Sequence, residues 1–304
     1  MAYLVADNIV RKYGALVALD QFSLSVEGAS IFALVGPDGA GKTTMLRILC
    51  RLLDPDSGTV TVGGHDLAKE YEQIKPILGY MPQQFSLYPD LSIEENLKFY
   101  AGLYGITGQR YRQKRDQLYE FSNLGPFAGR RAGALSGGMK QKLALSCALI
   151  HDPRLMILDE PTTGVDPLSR RQFWEILAQL KGEGVTIVVS TPYMDEVARC
   201  DRAAFIFRGR KLAEDTPSGL AGSFVGKIYY LDAEPTTALV RQINRLPDMS
   251  AVRFGAGLHL YLDLHDNVER HHEALSSLGV AADRITLIQP DLEDRFIQLM
   301  ETGA

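Results

Sequence analysis

The segment Gly36-Pro37-Asp38-Gly39-Ala40-Gly41-Lys42-Thr43-Thr44 has the spacing G-x-x-x-x-G-K-[ST] and lies between the apolar run Ile31 to Val35 and helix-forming residues from Met45 to Leu53. Glycines at these positions let successive backbone N–H groups curl around phosphate oxygens with no Cβ in the way. Lys42 would reach the β- and γ-phosphates of a nucleoside triphosphate and Thr43 would hold Mg²⁺, while a helix starting here adds its partial positive charge. A second element is Asp159-Glu160, which ends the apolar run Leu155 to Leu158. Carboxylates at the end of a buried strand are costly unless they have partners or a task there. Asp159 would hold Mg²⁺ through its water shell, and Glu160 would be the general base for an attacking water. The third element is Ser136-Gly137-Gly138, a turn that enters a helix and so makes another anion site. Two phosphate-binding helix ends beside one metal-binding strand are reconciled if the second caps the γ-phosphate of a nucleotide held by another subunit.

The elements that must position these groups are strand-like runs that alternate with helices. Ile31 to Val35, Leu155 to Leu158 and Val185 to Ser190 are apolar runs that alternate with amphipathic stretches, the pattern of an α/β domain with a largely parallel sheet. Ser92-Ile93-Glu94-Glu95 has the spacing of a capping box and predicts a helix through about Tyr104; residues from about 85 to 150 read as mainly helical. Asp166-Pro167 opens another helix, with Phe173, Trp174, Leu177 and Leu180 on its buried face and Gly182 as its stop. Trp174 is assigned to the core. The turn-rich Asp215 to Gly219 marks a boundary between residues 1–215 and a small α+β unit, 216–304, of order β-α-β-β-α-β-α. There His271 and His272 are adjacent, the wrong spacing for a helical metal site, and are assigned to an exposed helix face.

The 304 residues make one large or two modest domains at about 150 residues each. With 46% hydrophobic and 23% charged residues the composition is globular, and no 18-residue apolar stretch offers a membrane span. Met1 to Asp7 lack a basic region followed by an apolar run, so a cytosolic location is expected. Cys50, Cys147 and Cys200 are too far apart for a C-x-x-C pair and are read as buried thiols. A net charge of −5 argues against broad binding of nucleic acid.

Over about residues 3 to 215 the sequence resembles the ATP-binding subunits of ABC transporters, with the motifs in the family's order. Leu135 to Gln141 is similar to the family signature, Gly164-Val165-Asp166-Pro167 to its D-loop, and Tyr80-Met81-Pro82-Gln83 to the segment holding the Q-loop glutamine. The resemblance implies a P-loop fold of ABC ATPase type with a helical subdomain. It also implies ATP and Mg²⁺ as cofactors, with Gln83, rather than Gln84, at the metal and the attacking water. By the same analogy Tyr13 stacks on adenine, the alternative being ordinary packing. Ser136, Gly137 and Gly138 then complete a site on a second cassette, identical or different. Leu87 to Ser92, Met139 and Leu292 to Phe296 are closer to export-type members, multidrug exporters among them. This implies an ATPase at the cytoplasmic face of the membrane, docked under integral permease subunits around Gln83 to Leu97. Internal packing is the other reading of Phe85, Leu87, Tyr88 and Leu91.

Two positions depart from the family. Where it carries a histidine that contacts the γ-phosphate, this chain reads Ser190-Thr191-Pro192-Tyr193-Met194-Asp195-Glu196, and proline offers neither a side-chain donor nor an N–H. Slow turnover is expected, and a regulatory subunit with little turnover is the alternative. A soluble ABC ATPase acting on ribosomes or DNA is a further rival, against which stand the single cassette and the negative charge. Asp38 occupies a position where Asn is frequent, and its carboxylate is expected to face solvent or a partner loop, away from triphosphate.

Overall fold

The run Ile31–Val35 forms β3 with all five residues buried, as a parallel strand covered on both faces requires. The computed structural model describes residues 2–302; Met1, Gly303 and Ala304 lie outside the described residues. The chain divides between Pro217 and Ser218 into two compact units.

In the first unit, β1 (Ala2–Tyr13) and β2 (Leu16–Glu27) precede β3; α1 (Lys42–Leu49), β4 (Ser57–Val62), β5 (His65–Asp66), α2 (Tyr71–Ile74) and β6 (Leu78–Met81) follow it. A helical stretch of α3 (Ile93–Leu103), α4 (Gly108–Ser122) and α5 (Gly137–Ala148) comes next. Then come β7 (Leu155–Asp159), α6 (Pro167–Gly182), β8 (Thr186–Thr191), α7 (Met194–Val197), β9 (Arg202–Phe207) and β10 (Arg210–Asp215). One sheet has the order β2-β1-β4-β5 and the other β10-β9-β3-β8-β7-β6, the second parallel except at β10. Met45, Leu46 and Leu49 of α1 share one buried cluster with Leu4, Phe22 and Val60 of the first sheet and Phe32, Leu34 and Ile157 of the second. The helix that begins at the phosphate loop is therefore fixed in the core.

The local signals act as read. Ser92 Oγ accepts from Glu95 N at 3.2 Å while Glu95 Oε2 accepts from Ser92 N at 2.8 Å, closing the capping box. Asp166 Oδ1 accepts from Ser169 N at 2.9 Å at the start of α6, and Trp174 is buried in the core. The α6 helix runs through Gly182, however; its left-handed stop is Gly184, at φ 92°. All three cysteines are buried. Among the described residues no helix is long and apolar enough to cross a membrane.

After α8 (Pro217–Gly222), the second unit runs β11 (Lys227–Leu231), α9 (Thr237–Ile243), β12 (Met249–Phe254), β13 (Gly257–Leu262), α10 (His272–Ser277), β14 (Ile285–Ile288) and α11 (Leu292–Thr302). Its antiparallel sheet has the order β12-β13-β11-β14. Leu258, Leu260 and Leu262 enter its core, so the alternate residues His259 and Tyr261 face the other side. There His259 Nδ1 lies 2.6 Å from Asp294 Oδ1, and Tyr261 donates to the same oxygen at 2.8 Å. The exposed face assigned to His271 is corrected: a 3-10 turn over Val268–His271 precedes α10 and carries His271 inward, its Nε2 2.7 Å from Asp266 Oδ2.

Asp294 is fully buried in this unit, and removing one member of a buried charged hydrogen-bonded group typically costs about 3 kcal/mol. Asp294→Ala is expected to speed amide hydrogen exchange in β13 and α11 by about a hundredfold; exchange within threefold of the parent would contradict this.

Candidate nucleotide site

The phosphate loop joins β3 to α1, and its glycines have separate steric reasons. A Cβ on Gly36 would lie 2.2 Å from Ile206 O, and Gly41 combines φ 113° with an approach of 2.5 Å to Ala18 O. The Lys42 side chain is buried: Nζ donates to Gly36 O at 2.7 Å and Pro37 O at 3.1 Å and lies 3.1 Å from Glu160 Oε1. Gly39, Gly41, Lys42, Thr43 and Thr44 line an open cleft of about 620 Å³ together with Tyr13, Gln83 and Glu160. Ala40 is buried behind the loop, and Pro37 is half-buried.

Strands β3, β8 and β7 lie side by side with Val35 opposite Thr191 and Ser190 opposite Asp159, so their carboxyl ends are level. Asp159 Oδ1 receives the Thr43 hydroxyl at 3.2 Å and the Ser190 hydroxyl at 2.7 Å, and Ser190 Oγ accepts from Glu160 N at 2.9 Å. Glu160 turns the chain at φ 47°, a left-handed conformation unusual for a side chain of its size and concentrated at functional turns. Its Oε2 receives Gln83 Nε2 at 3.0 Å and the Thr163 hydroxyl at 3.3 Å. Gln83 is thus beside Glu160, and Gln83 and Gln84 both line a neighbouring cleft with Arg47, Tyr80 and Asp159. Burial, and then the Asp159 charge, push the Tyr80 phenol up to about 12 and raise the Cys50 thiol well above its ordinary value, leaving both neutral.

A hydroxyl and a carboxylate at this spacing are hard oxygen donors, the kind Mg²⁺ takes beside substrate phosphates and water. Among the described residues no cluster of three or more His, Cys, Asp or Glu side chains could hold a metal by itself. The residues fit a metal that arrives with a nucleotide.

Ser136, Gly137 and Gly138 are not among the residues lining this cleft. Ser136 Oγ caps α5 by accepting from Met139 N at 3.4 Å, and Ser136 and Gly137 are exposed. Asp166, in the D-loop segment, is held below the usual carboxylate range chiefly by the Ser169 N–H. Asp38 is exposed and also lines this cleft, where the sequence placed it away from the phosphates; Tyr13 is 45% exposed with the Arg11 guanidinium 5.1 Å from its ring centre. The Tyr193 ring is covered by Arg170 at 4.4 Å, and its N–H bonds Thr191 Oγ1. In the apolar stretch after Gln83, Leu87 packs inward while Tyr88 stays exposed, edge-on to Phe99 at 4.8 Å. The sequence reading passed over Ser190 and Thr163, which bond the two acids directly; a serine ending a strand next to the one that bears Asp159 is the signal that could have found the first.

Fold and site together define a phosphate-loop nucleotide-binding protein of the α/β class. Residues 19–163 match the family described as ABC transporter. The chain is 40% identical to the probable multidrug ABC transporter ATP-binding protein YbhF of Escherichia coli K12 over 93% of its own length and 49% of that relative. It is 40% identical to Nod factor export ATP-binding protein I of Burkholderia orbicola, covering 72% of each, and 33% identical to linearmycin resistance ATP-binding protein LnrL of Bacillus subtilis, covering 97% of each. A solved ATP-binding subunit of an ABC transporter superposes with TM-score 0.66 at 30% identity, over 73% of this chain and 93% of that one. The dimeric cassette MJ0796 gives 0.64 at 26%, over 70% and 98%. The chain belongs to the ABC transporter ATP-binding family, and it spans about half the length of YbhF.

Ser190→Ala removes a hydrogen bond to an ionised group, worth about 1.5 kcal/mol or more. The Mg²⁺-dependent part of ATP affinity is expected to fall about tenfold, with affinity in excess chelator unchanged; equal losses under both conditions would show that Ser190 does not act through Asp159.

Proposed function

We propose that this chain is the ATP-binding subunit of an export transporter and couples ATP binding and hydrolysis to movement of a substrate through a separate membrane permease. The observation that carries this reading is the meeting of Lys42, Thr43, Asp159, Glu160 and Gln83 at the level ends of three strands. The loop from Gly36 to Thr44 would wrap the phosphates with backbone N–H groups, and Lys42 would turn its ammonium from Glu160 to the β- and γ-oxygens. Thr43 and Asp159, with Gln83 completing the set, would hold Mg²⁺. When bound, Mg²⁺ neutralises charge on the phosphate oxygens. Glu160 would take the proton of the attacking water while Gln83 orients it, and Tyr13 would stack on the base.

The wider reading draws on the relatives, whose names concern multidrug transport, Nod factor export and linearmycin resistance. The partners are then integral membrane permease subunits, with the chain peripheral at the cytoplasmic face of the membrane. A second cassette, identical or different, would bring its own phosphate loop to Ser136, Gly137 and Gly138; that the MJ0796 cassette is dimeric supports pairing of two cassettes. Against action on ribosomes or DNA stand the net charge of −5 and helices of at most 15 residues between β6 and β7. The absence of an imidazole at Pro192 favours one second reading, a nucleotide-binding subunit with little turnover, because a lost transition-state contact typically lowers rates about 10²- to 10³-fold.

Saturating MgATP is expected to raise the melting temperature of the purified chain, and Lys42→Ala to abolish the shift. No shift in the unsubstituted chain would refute the nucleotide assignment. Hydrolysis by the isolated chain is expected to be slow and to rise about tenfold or more in Pro192→His; fast parental turnover, lost in Glu160→Gln, would show that Pro192 is no handicap.

A further inference from the structure

We infer that Glu196 is a positioning residue for the ATP hydrolysis proposed above: its one carboxylate holds the turn bearing Glu160 and the turn bearing Pro192 in fixed register. Glu196 lies on α7, at the end of the segment around Pro192 and with no role assigned to it from the sequence, and is only 1% exposed. A carboxylate that deep persists as a charge only with donors on its oxygens. Oε1 receives the Thr162 hydroxyl at 2.5 Å, and Oε2 receives the Thr191 hydroxyl at 2.5 Å. Arg170 supplies the counter-charge, with Nε 3.7 Å from Oε1; the same guanidinium lies 3.6 Å from Asp195 and covers the Tyr193 ring.

The places of these partners give the carboxylate its role. Thr162 is buried in the turn two residues beyond Glu160, where Thr163 N also bonds Glu160 O at 3.2 Å. That turn must keep Glu160 at φ 47°, and a left-handed residue persists only when its surroundings over-determine it. Thr191 directly follows Ser190, the residue that holds both Asp159 and the Glu160 N–H. Its hydroxyl has a single proton, which goes to Glu196, and so accepts the Tyr193 N–H at 3.0 Å, closing the turn around Pro192. Arg170 stands on α6 next to Ser169, whose side chain would lie 2.4 Å from a Cβ on Gly138. Glu196 therefore ties the two site turns to the helix that packs on the signature turn. Among the described residues its carboxylate has no hydrogen bond or ion pair with a cleft-lining side chain, and its effect passes through Thr162 and Thr191.

The test is single-turnover ATP hydrolysis by the purified full chain, with ATP affinity measured in parallel. Thr162→Val keeps the shape and removes the hydroxyl, Thr162→Ser keeps the hydroxyl, and Glu196→Gln removes the charge. The rate at saturating ATP is expected to fall about tenfold in Thr162→Val and Glu196→Gln with ATP affinity within about twofold of the parent, and to stay within about twofold in Thr162→Ser. Equal rates in the valine and serine variants, or affinity lost in step with rate, would overturn the inference in favour of simple stabilisation. If Glu196→Gln does not fold, the threonine pair decides alone. A parent that binds MgATP without hydrolysing it also overturns the inference, whereas a parent that fails to bind MgATP refutes the nucleotide assignment itself.

Discussion

A carboxylate buried at the end of a parallel strand must find donors or give up its charge, and Asp159, at 1% exposure, finds two hydroxyls. One comes from Thr43, in the first turn of α1, and the other from Ser190, near the end of β8. Because β8 lies between β3 and β7, these bonds join the phosphate loop, the central strand and the acidic strand at one point. The rest of the site depends on this tie. Ser190 uses its lone pair to fix the Glu160 N–H, and the left-handed turn at Glu160 then directs the carboxylate back toward Lys42.

Lys42 and Glu160 form a buried pair whose remaining hydrogen-bond capacity is used locally: the ammonium by two loop carbonyls, the carboxylate by Gln83 and Thr163. An ammonium and a carboxylate out of water are each costly, and their attraction offsets this only when such extra bonds exist. The same arrangement keeps a carboxylate and an ammonium side by side in an open cleft. On the function proposed above, triphosphate oxygens would compete for the ammonium, and a shift of Lys42 toward them would free one Glu160 oxygen. Nucleotide binding and the freeing of Glu160 would then be linked through a single side chain.

Much of this was legible in the sequence because it follows from local chemistry. The glycine spacing of the loop, the Ser92–Glu95 capping box and the Asp166-Pro167 helix start are each determined within a few residues, and the structure contains them. What escaped depends on pairs far apart in the chain. Ser190 and Asp159 are 31 residues apart and meet only through strand register, while Thr162 and Glu196, 34 apart, meet through the packing of α7. His271 was misread for a different reason: its neighbours fit a helical face, but a 3-10 turn before α10 changes the angle at which its side chain leaves the backbone.

The signature turn shows how steric reasoning separates internal from external requirements. Gly138 is explained within the chain, since a Cβ there would press on Ser169 at 2.4 Å. Gly137 is not: its φ is not positive, the nearest atom to an added Cβ is Gly164 O at an ordinary 3.6 Å, and the residue is exposed. Glycine also weakens a first helical turn relative to alanine by up to about 1 kcal/mol. Among the described residues nothing calls for glycine at 137. Close approach of an anion to the first N–H groups of α5 from outside would call for it, because a Cβ stands where the oxygen must come. That is the geometry expected if a second cassette presents its nucleotide to this turn, and it locates the external requirement at Gly137 rather than at the glycine beside it.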